Sequence, residues 1–123
     1  MRKLVFAFAL IATTVACHRA QLIGTSDEAG SVTVKVINSN KLDVVLYLVH
    51  DSYRERLGEV TAATTREFPV KFKTLGAGHE FQLLADPVGS LEPIRTETVH
   101  PLDGQLITWT LESDFARSHL QVF

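Results

Sequence analysis

From Ser31 onward the apolar residues fall at every second position, and that spacing restricts the chain to strands. Val32, Val34 and Val36 alternate with Thr33 and Lys35. Successive strand side chains point to opposite faces of a sheet, so this is the pattern of a strand with one buried face. The same spacing returns in Phe68, Val70 and Phe72, in Phe81, Leu83 and Ala85, and in Ile107, Trp109 and Leu111. Leu42 to Val49 is apolar on both faces, and Arg56 to Thr61, Ile94 to His100 and His119 to Phe123 read as further strands. Turn chemistry separates them: Asn38-Ser39-Asn40, Asp51-Ser52-Tyr53, Gly76-Ala77-Gly78, the loop Asp86 to Ser90, and Asp103-Gly104. Pro69 cannot donate to a ladder and places 66–72 at a sheet edge. No segment beyond residue 30 carries a helical period. Seven or eight short strands with a turn every 8–12 residues or so predict an all-β fold. The expectation is a single small antiparallel β-sandwich, immunoglobulin-like in its two-sheet architecture, over residues 31–123. A membrane barrel competes, because the sequence ends on Phe123, but its strands would need about 9–11 residues each with an apolar outer face.

The first residues follow another pattern. Arg2 and Lys3 precede an unbroken apolar run, Leu4 to Ala12, and then the small residues Thr13 to Ala16. The run is well short of the roughly 20 residues a spanning helix needs. A buried core helix would carry polar residues on one face, and this run has none. Residues 1–16 therefore read as a secretory signal peptide, set apart from the fold. Residues 18–30 are small, polar and glycine-punctuated, without a period. With Cys17 they make the segment 17–30 a tether, which as a random coil would span roughly 20 Å.

Cys17 is the single cysteine of the chain, so no internal disulfide can form. Its position directly after the apolar run accounts for it. Thr14-Val15-Ala16-Cys17 resembles the lipobox of bacterial lipoproteins, with Thr14 where that family usually has Leu. The resemblance implies cleavage after Ala16 and diacylglycerol on the Cys17 thiol, with the new amine usually acylated too. Two or more acyl chains hold a protein stably at a membrane where one does not. Cleavage at the same bond by the ordinary signal peptidase would instead leave a free N-terminal thiol, open to oxidation. In the Gram-negative members of that family an Asp after the cysteine favours the inner membrane; His18 stands there, which implies the outer membrane.

Removing residues 1–16 takes Arg2 and Lys3 from the 12 basic residues and none from the 14 acidic ones, leaving 10 against 14, or −4. A mildly acidic chain of this kind argues against a nucleic-acid partner and offers no polybasic patch for anionic lipid.

The stretch Leu75 to Leu83, then Arg95 to Val99, Leu102 to Gln105, and Trp109-Thr110-Leu111 resembles the second half of PEGA and carboxypeptidase-regulatory-like domains. These are prealbumin-like sandwiches that serve as accessory modules in bacterial envelope proteins, usually without catalysis. The Pro-Glu-Gly-Ala signature itself is missing, and Arg66-Glu67-Phe68-Pro69 stands in no such role.

Polar constellations are sparse. The histidines His18, His50, His79, His100 and His119 are all at least five residues apart, whereas a zinc site often uses one close pair. Ser52 lies beside His50 and Asp51, but neighbours on a strand end point in different directions. Gly89-Ser90 lacks the flanking pattern of a nucleophile elbow. Glu92 and Glu97 are separated by Arg95 and read as solvated turn charges. No catalytic residue, metal ligand or cofactor is expected, with a small hydrolase or a metalloprotein using His50, Asp51 or His79 as the remote alternative. The sharper signal is apolar. One of the sets Val44/Leu46/Leu48 and Val45/Tyr47/Val49 should face out of a two-layer sandwich, the alternative being a strand covered on both sides, by the 86–93 loop for instance. The tyrosine hydroxyl tolerates water, which makes Val45, Tyr47 and Val49 the expected outward set and a candidate surface for an envelope protein partner. A structural role in the envelope stands beside partner binding, and display of a small-ligand, glycan or peptide site is the alternative.

Overall fold

The computed structural model describes residues 30–89 and 92–123. The leader, Ala16, Cys17, the tether to residue 29, and Ser90 lie outside the described residues. Eight strands follow in order: β1 (Ser31–Asn38), β2 (Val44–His50), β3 (Tyr53–Val60), β4 (Thr65–Lys71), β5 (Gln82–Pro87), β6 (Ile94–Arg95), β7 (Leu106–Leu111) and β8 (His119–Val122). They form two open sheets, β4-β1-β7-β8 and β3-β2-β5-β6, not one closed barrel. The described residues outside the strands hold two three-residue 3₁₀ turns, Phe72–Thr74 and Phe115–Arg117.

The period-two residues meet between the sheets. Val32, Val34, Val36, Ile107, Trp109 and Leu111 come from one sheet, and Val44, Leu46, Leu48, Leu83 and Ala85 from the other, all buried in one core. Burying a side chain of this size stabilises by about 1.5–3 kcal/mol, so this layer holds the fold together. Gly58 faces Leu46 on β3. A Cβ there would lie 2.9 Å from the Phe68 ring, so the missing side chain makes the room that Phe68 fills.

The sandwich departs from expectation in three ways. The sheets are not wholly antiparallel: β1 and β7 pair in parallel, Val34 beside Ile107 and Val36 beside Trp109. Alternation fixes which face is buried and carries no information on strand direction. The strand order also differs from the immunoglobulin one, where the first two strands are neighbours; here β1 and β2 lie in different sheets. Finally, the strand expected over Ile94–His100 is interrupted. The Thr96 hydroxyl accepts the Leu83 amide at 2.9 Å while the Thr96 amide donates to the Leu83 carbonyl at 2.9 Å. A side chain thus replaces a ladder carbonyl, and only an isolated bridge between Phe81 and Val99 follows. Pro69 does lie on an edge strand, β4.

The two ends of the sandwich are distinct. At one, the Phe72 amide donates to the Gly30 carbonyl and the Gly104 amide to that of Ser31. Asp51 packs against Gly76, where a Cβ would meet its carboxylate at 2.5 Å, and Phe123 exchanges backbone bonds with Leu106. This is the Gly30 end, where the described chain begins. At the other, the Asn40 end, Asn38 and Asn40 tie the 60–64 and 112–113 turns together.

Candidate functional site

Alternation along β2 puts Val44, Leu46 and Leu48 into the core and turns Val45, Tyr47 and Val49 outward. The outward row is half-buried. Its cover comes in part from β3: the Arg54 guanidinium lies 3.9 Å from the centre of the Tyr47 ring and 4.0 Å from the Asp86 carboxylate. Stacking of this kind on a partly exposed ring contributes about 0.5–1 kcal/mol. The long arginine stem covers apolar surface while the charge stays in water.

Leu84 extends the row. It stands opposite Tyr47 on one side and Arg95 on the other, is 3% exposed, and lies outside the core cluster. The outer face of this sheet therefore has an apolar centre of Val45, Tyr47, Val49 and Leu84, bordered by Arg54, Arg56 and Arg95 with Asp86 and Glu59 toward the Asn40 end. Leu84 was not legible as part of this face, because Leu83-Leu84-Ala85 is apolar at both parities and the core absorbs the neighbours. Arg54 lies before the strand expected from Arg56, whereas β3 begins at Tyr53 and carries Arg54 on this face.

Among the grooves that open beside the sheets in the described residues, two concern the candidate polar residues. One of about 320 Å³ lies between β6 and β8, lined by Arg95, Thr96, Glu97, Trp109, His119 and Leu120 among others. The other, about 310 Å³, lies at the Gly30 end between the β2–β3 turn and the start of β5, with His50, Ser52, Glu80, Gln82, Arg95 and Thr98 on its walls. The turn that shapes it is strained: Asp51 and Ser52 have φ of 45° and 67°. A two-residue hairpin turn with both residues left-handed is the primed type, which favours Asn-Gly or Asp-Gly. Behind it, the buried Nδ1 of His50 has no hydrogen-bond partner, and its nearest carboxylate, Asp51, is 4.0 Å away.

The other polar candidates stay apart. His100 approaches Glu80 at 3.4 Å, His119 approaches Glu112 at 3.9 Å, and His79 stacks on Phe72 with ring centres 4.7 Å apart. Among the described residues, no group of three His, Cys, Asp or Glu is placed to hold a metal ion. Asp51 and Ser52 are both turn residues beside His50, and no hydrogen bond joins their side chains to it among the described residues.

No family model matches the chain, and no curated protein matches it. Among solved structures, the NMR structure of a protein from Eubacterium rectale is similar at 16% identity, covering 81% of this chain and 93% of that one with a TM-score of 0.45.

Proposed function

We propose that the chain is an exported, non-catalytic cell-envelope lipoprotein, cut after Ala16 and anchored through lipid on Cys17, on the outer membrane where the host has one. Its sandwich binds a partner protein through the outer face of the β3-β2-β5-β6 sheet. The observation that carries the binding part is Leu84, buried yet outside the core, beside an outward Tyr47 and a border of arginines. An aromatic and apolar centre with an arginine rim is the composition of an interface centre. The anchoring part rests on the lipobox-like sequence and the apolar run before it.

A photo-crosslinking side chain at position 47, in living cells, tests the surface. One dominant crosslinked protein is the expected result; a blank lane beside a productive control position on β4 would remove the surface. Metabolic labelling with a clickable fatty acid tests the anchor, with loss of label expected in Cys17→Ser. The groove beside Trp109 favours one second reading, a module for a small ligand, glycan or peptide. A ligand that raises the melting temperature of the wild type, and less so that of Glu97→Ala, would support it.

A further inference from the structure

The large apolar side chains in open water are not spread evenly. Tyr53, Leu102, Val122 and Phe123 are among the exposed ones, with Tyr53 at 71% and Leu102 and Phe123 each at 68%. All four belong to the Gly30 end or the strand termini next to it. Tyr53 opens β3 directly after the Asp51-Ser52 turn, Leu102 precedes Asp103, whose carboxylate accepts the Ser31 amide at 2.9 Å, and Phe123 is bonded to Leu106. The remaining two, Leu42 and Val88, lie at the Asn40 end. The preceding chain joins at the apolar end: Gly30 leads straight into β1, with residues 1–29 before it.

We propose that the Gly30 end is a membrane-seating surface, in which Leu102, Phe123 and Tyr53 dip into the interface of the bilayer that holds the anchor. The inference rests on the reading of Cys17 as lipidated. A random coil the length of residues 18–29 spans roughly 20 Å, and a strand the length of β1 rises about 3.3 Å per residue. Along the chain the Gly30 end is thus the first part of the sandwich after the anchor, and the Asn40 end follows a full strand length later. Tethering raises the effective concentration of surface at that end, so contacts too weak to bind alone become occupied. The charge at that end is mixed, Lys71 and Lys73 on one side of the balance and Asp51, Glu80 and Asp103 on the other, so the seating is apolar and does not require anionic lipid.

The seating also sets the presentation of the partner face. The strands stand away from the membrane, and the Tyr47 row runs along β2 from the lipid side outward, accessible from the side.

The test uses the full chain purified from membranes and placed in vesicles of phosphatidylethanolamine with phosphatidylglycerol. Once Cys17 carries lipid, a cysteine introduced elsewhere is the single free thiol. Leu102→Cys, Phe123→Cys and, as the far-end control, Val88→Cys are each labelled with a nitroxide. The expected result is one label per chain, with positions 102 and 123 several-fold less accessible to a water-soluble nickel relaxant than position 88. Equal accessibility at all three positions in vesicle-bound protein overturns the seating and leaves the anchor standing. Dipolar broadening between labels at 102 identifies a second copy of the chain on this end instead of lipid, and also overturns it. Two labels per chain and no association with vesicles means that Cys17 is free, and then the anchor and the seating fail together.

Discussion

The two ends of the sandwich handle polar and apolar groups in opposite ways. At the Asn40 end the buried amide of Asn38 donates to the carbonyls of Leu42, Val60 and Thr61, at 2.8, 3.1 and 3.3 Å. Its oxygen accepts the Asn40 amide. Asn40 in turn donates to the carbonyls of Glu112 and Ser113, both at 3.0 Å, and its oxygen accepts the Leu42 amide. Two side chains thereby close the backbone of three separate turns. At the Gly30 end a buried imidazole nitrogen has no partner, three non-glycine residues, Asp51, Ser52 and His79, are left-handed, and large apolar side chains stand in water. One end is built to be stable. The other carries strain and uncovered surface, which concentrate where a protein meets something else.

The largest test of that contrast is Asn38→Ala. It strands buried carbonyls and the Asn40 amide together, and each unsatisfied group costs about 1–3 kcal/mol. A loss of about 3 kcal/mol in urea unfolding at unchanged m-value is expected; under 1 kcal/mol would mean that water replaces the side chain and the end is no staple. At the Gly30 end the comparable change is smaller. Gly76 has a φ of 74°, and a Cβ there would meet the movable end of the Asp51 side chain, so Gly76→Ala should cost about 2 kcal/mol, mostly from the backbone conformation, with Asp51→Ala made alongside it to recover any part due to crowding.

Strain can be compared directly, because the Asn40 end also holds one left-handed residue, Ala63, with a φ of 57°. Ser52→Gly and Ala63→Gly should each stabilise by about 1 kcal/mol, read as an upward shift of the thermal midpoint. Equal gains would make strain a property of tight turns at both ends. The orphan nitrogen and the uncovered apolar side chains would then be what sets the Gly30 end apart. A gain at Ser52 alone would tie the strain to the groove.

Which parts of this were legible in the sequence follows from what each signal encodes. Alternation at Val32/Val34/Val36 and Ile107/Trp109/Leu111 named the core residues and, with Pro69, one edge strand, because side-chain period reports directly on burial. The outward direction of Val45, Tyr47 and Val49 followed from the same period once Tyr47 was allowed its hydroxyl. The parallel pairing of β1 with β7 was hidden, since the same residues would be buried either way. Thr96 was unreadable as a strand breaker, because threonine favours strands and the break comes from where its hydroxyl reaches. The Asn38-Ser39-Asn40 run was legible as a turn but not as a buried hub, which depends on carbonyls from the 60–61 and 112–113 segments meeting it in space. The clustering of Tyr53, Leu102 and Phe123 was invisible for the same reason: they are far apart in the chain, and only the topology puts them at one end.

The smallest expected effect is the most discriminating. Leu102→Ser removes a side chain that is 68% exposed in a loop whose hydrogen bonds, from the Leu102 amide to the Gln105 side-chain oxygen and from the Gln105 amide to the Leu102 carbonyl, do not involve it. Surface changes of this kind alter stability by no more than about 0.5 kcal/mol, and urea unfolding of the variant should superimpose on the wild type. A cost above about 1 kcal/mol would show that Leu102 packs on the fold and belongs to the core. The Gly30 end would then be closed in the same sense as the Asn40 end, and its apolar side chains would need no membrane to account for them. Unchanged stability leaves an apolar group in water that contributes nothing to the fold, so any loss of membrane contact in the same variant is read free of a folding effect.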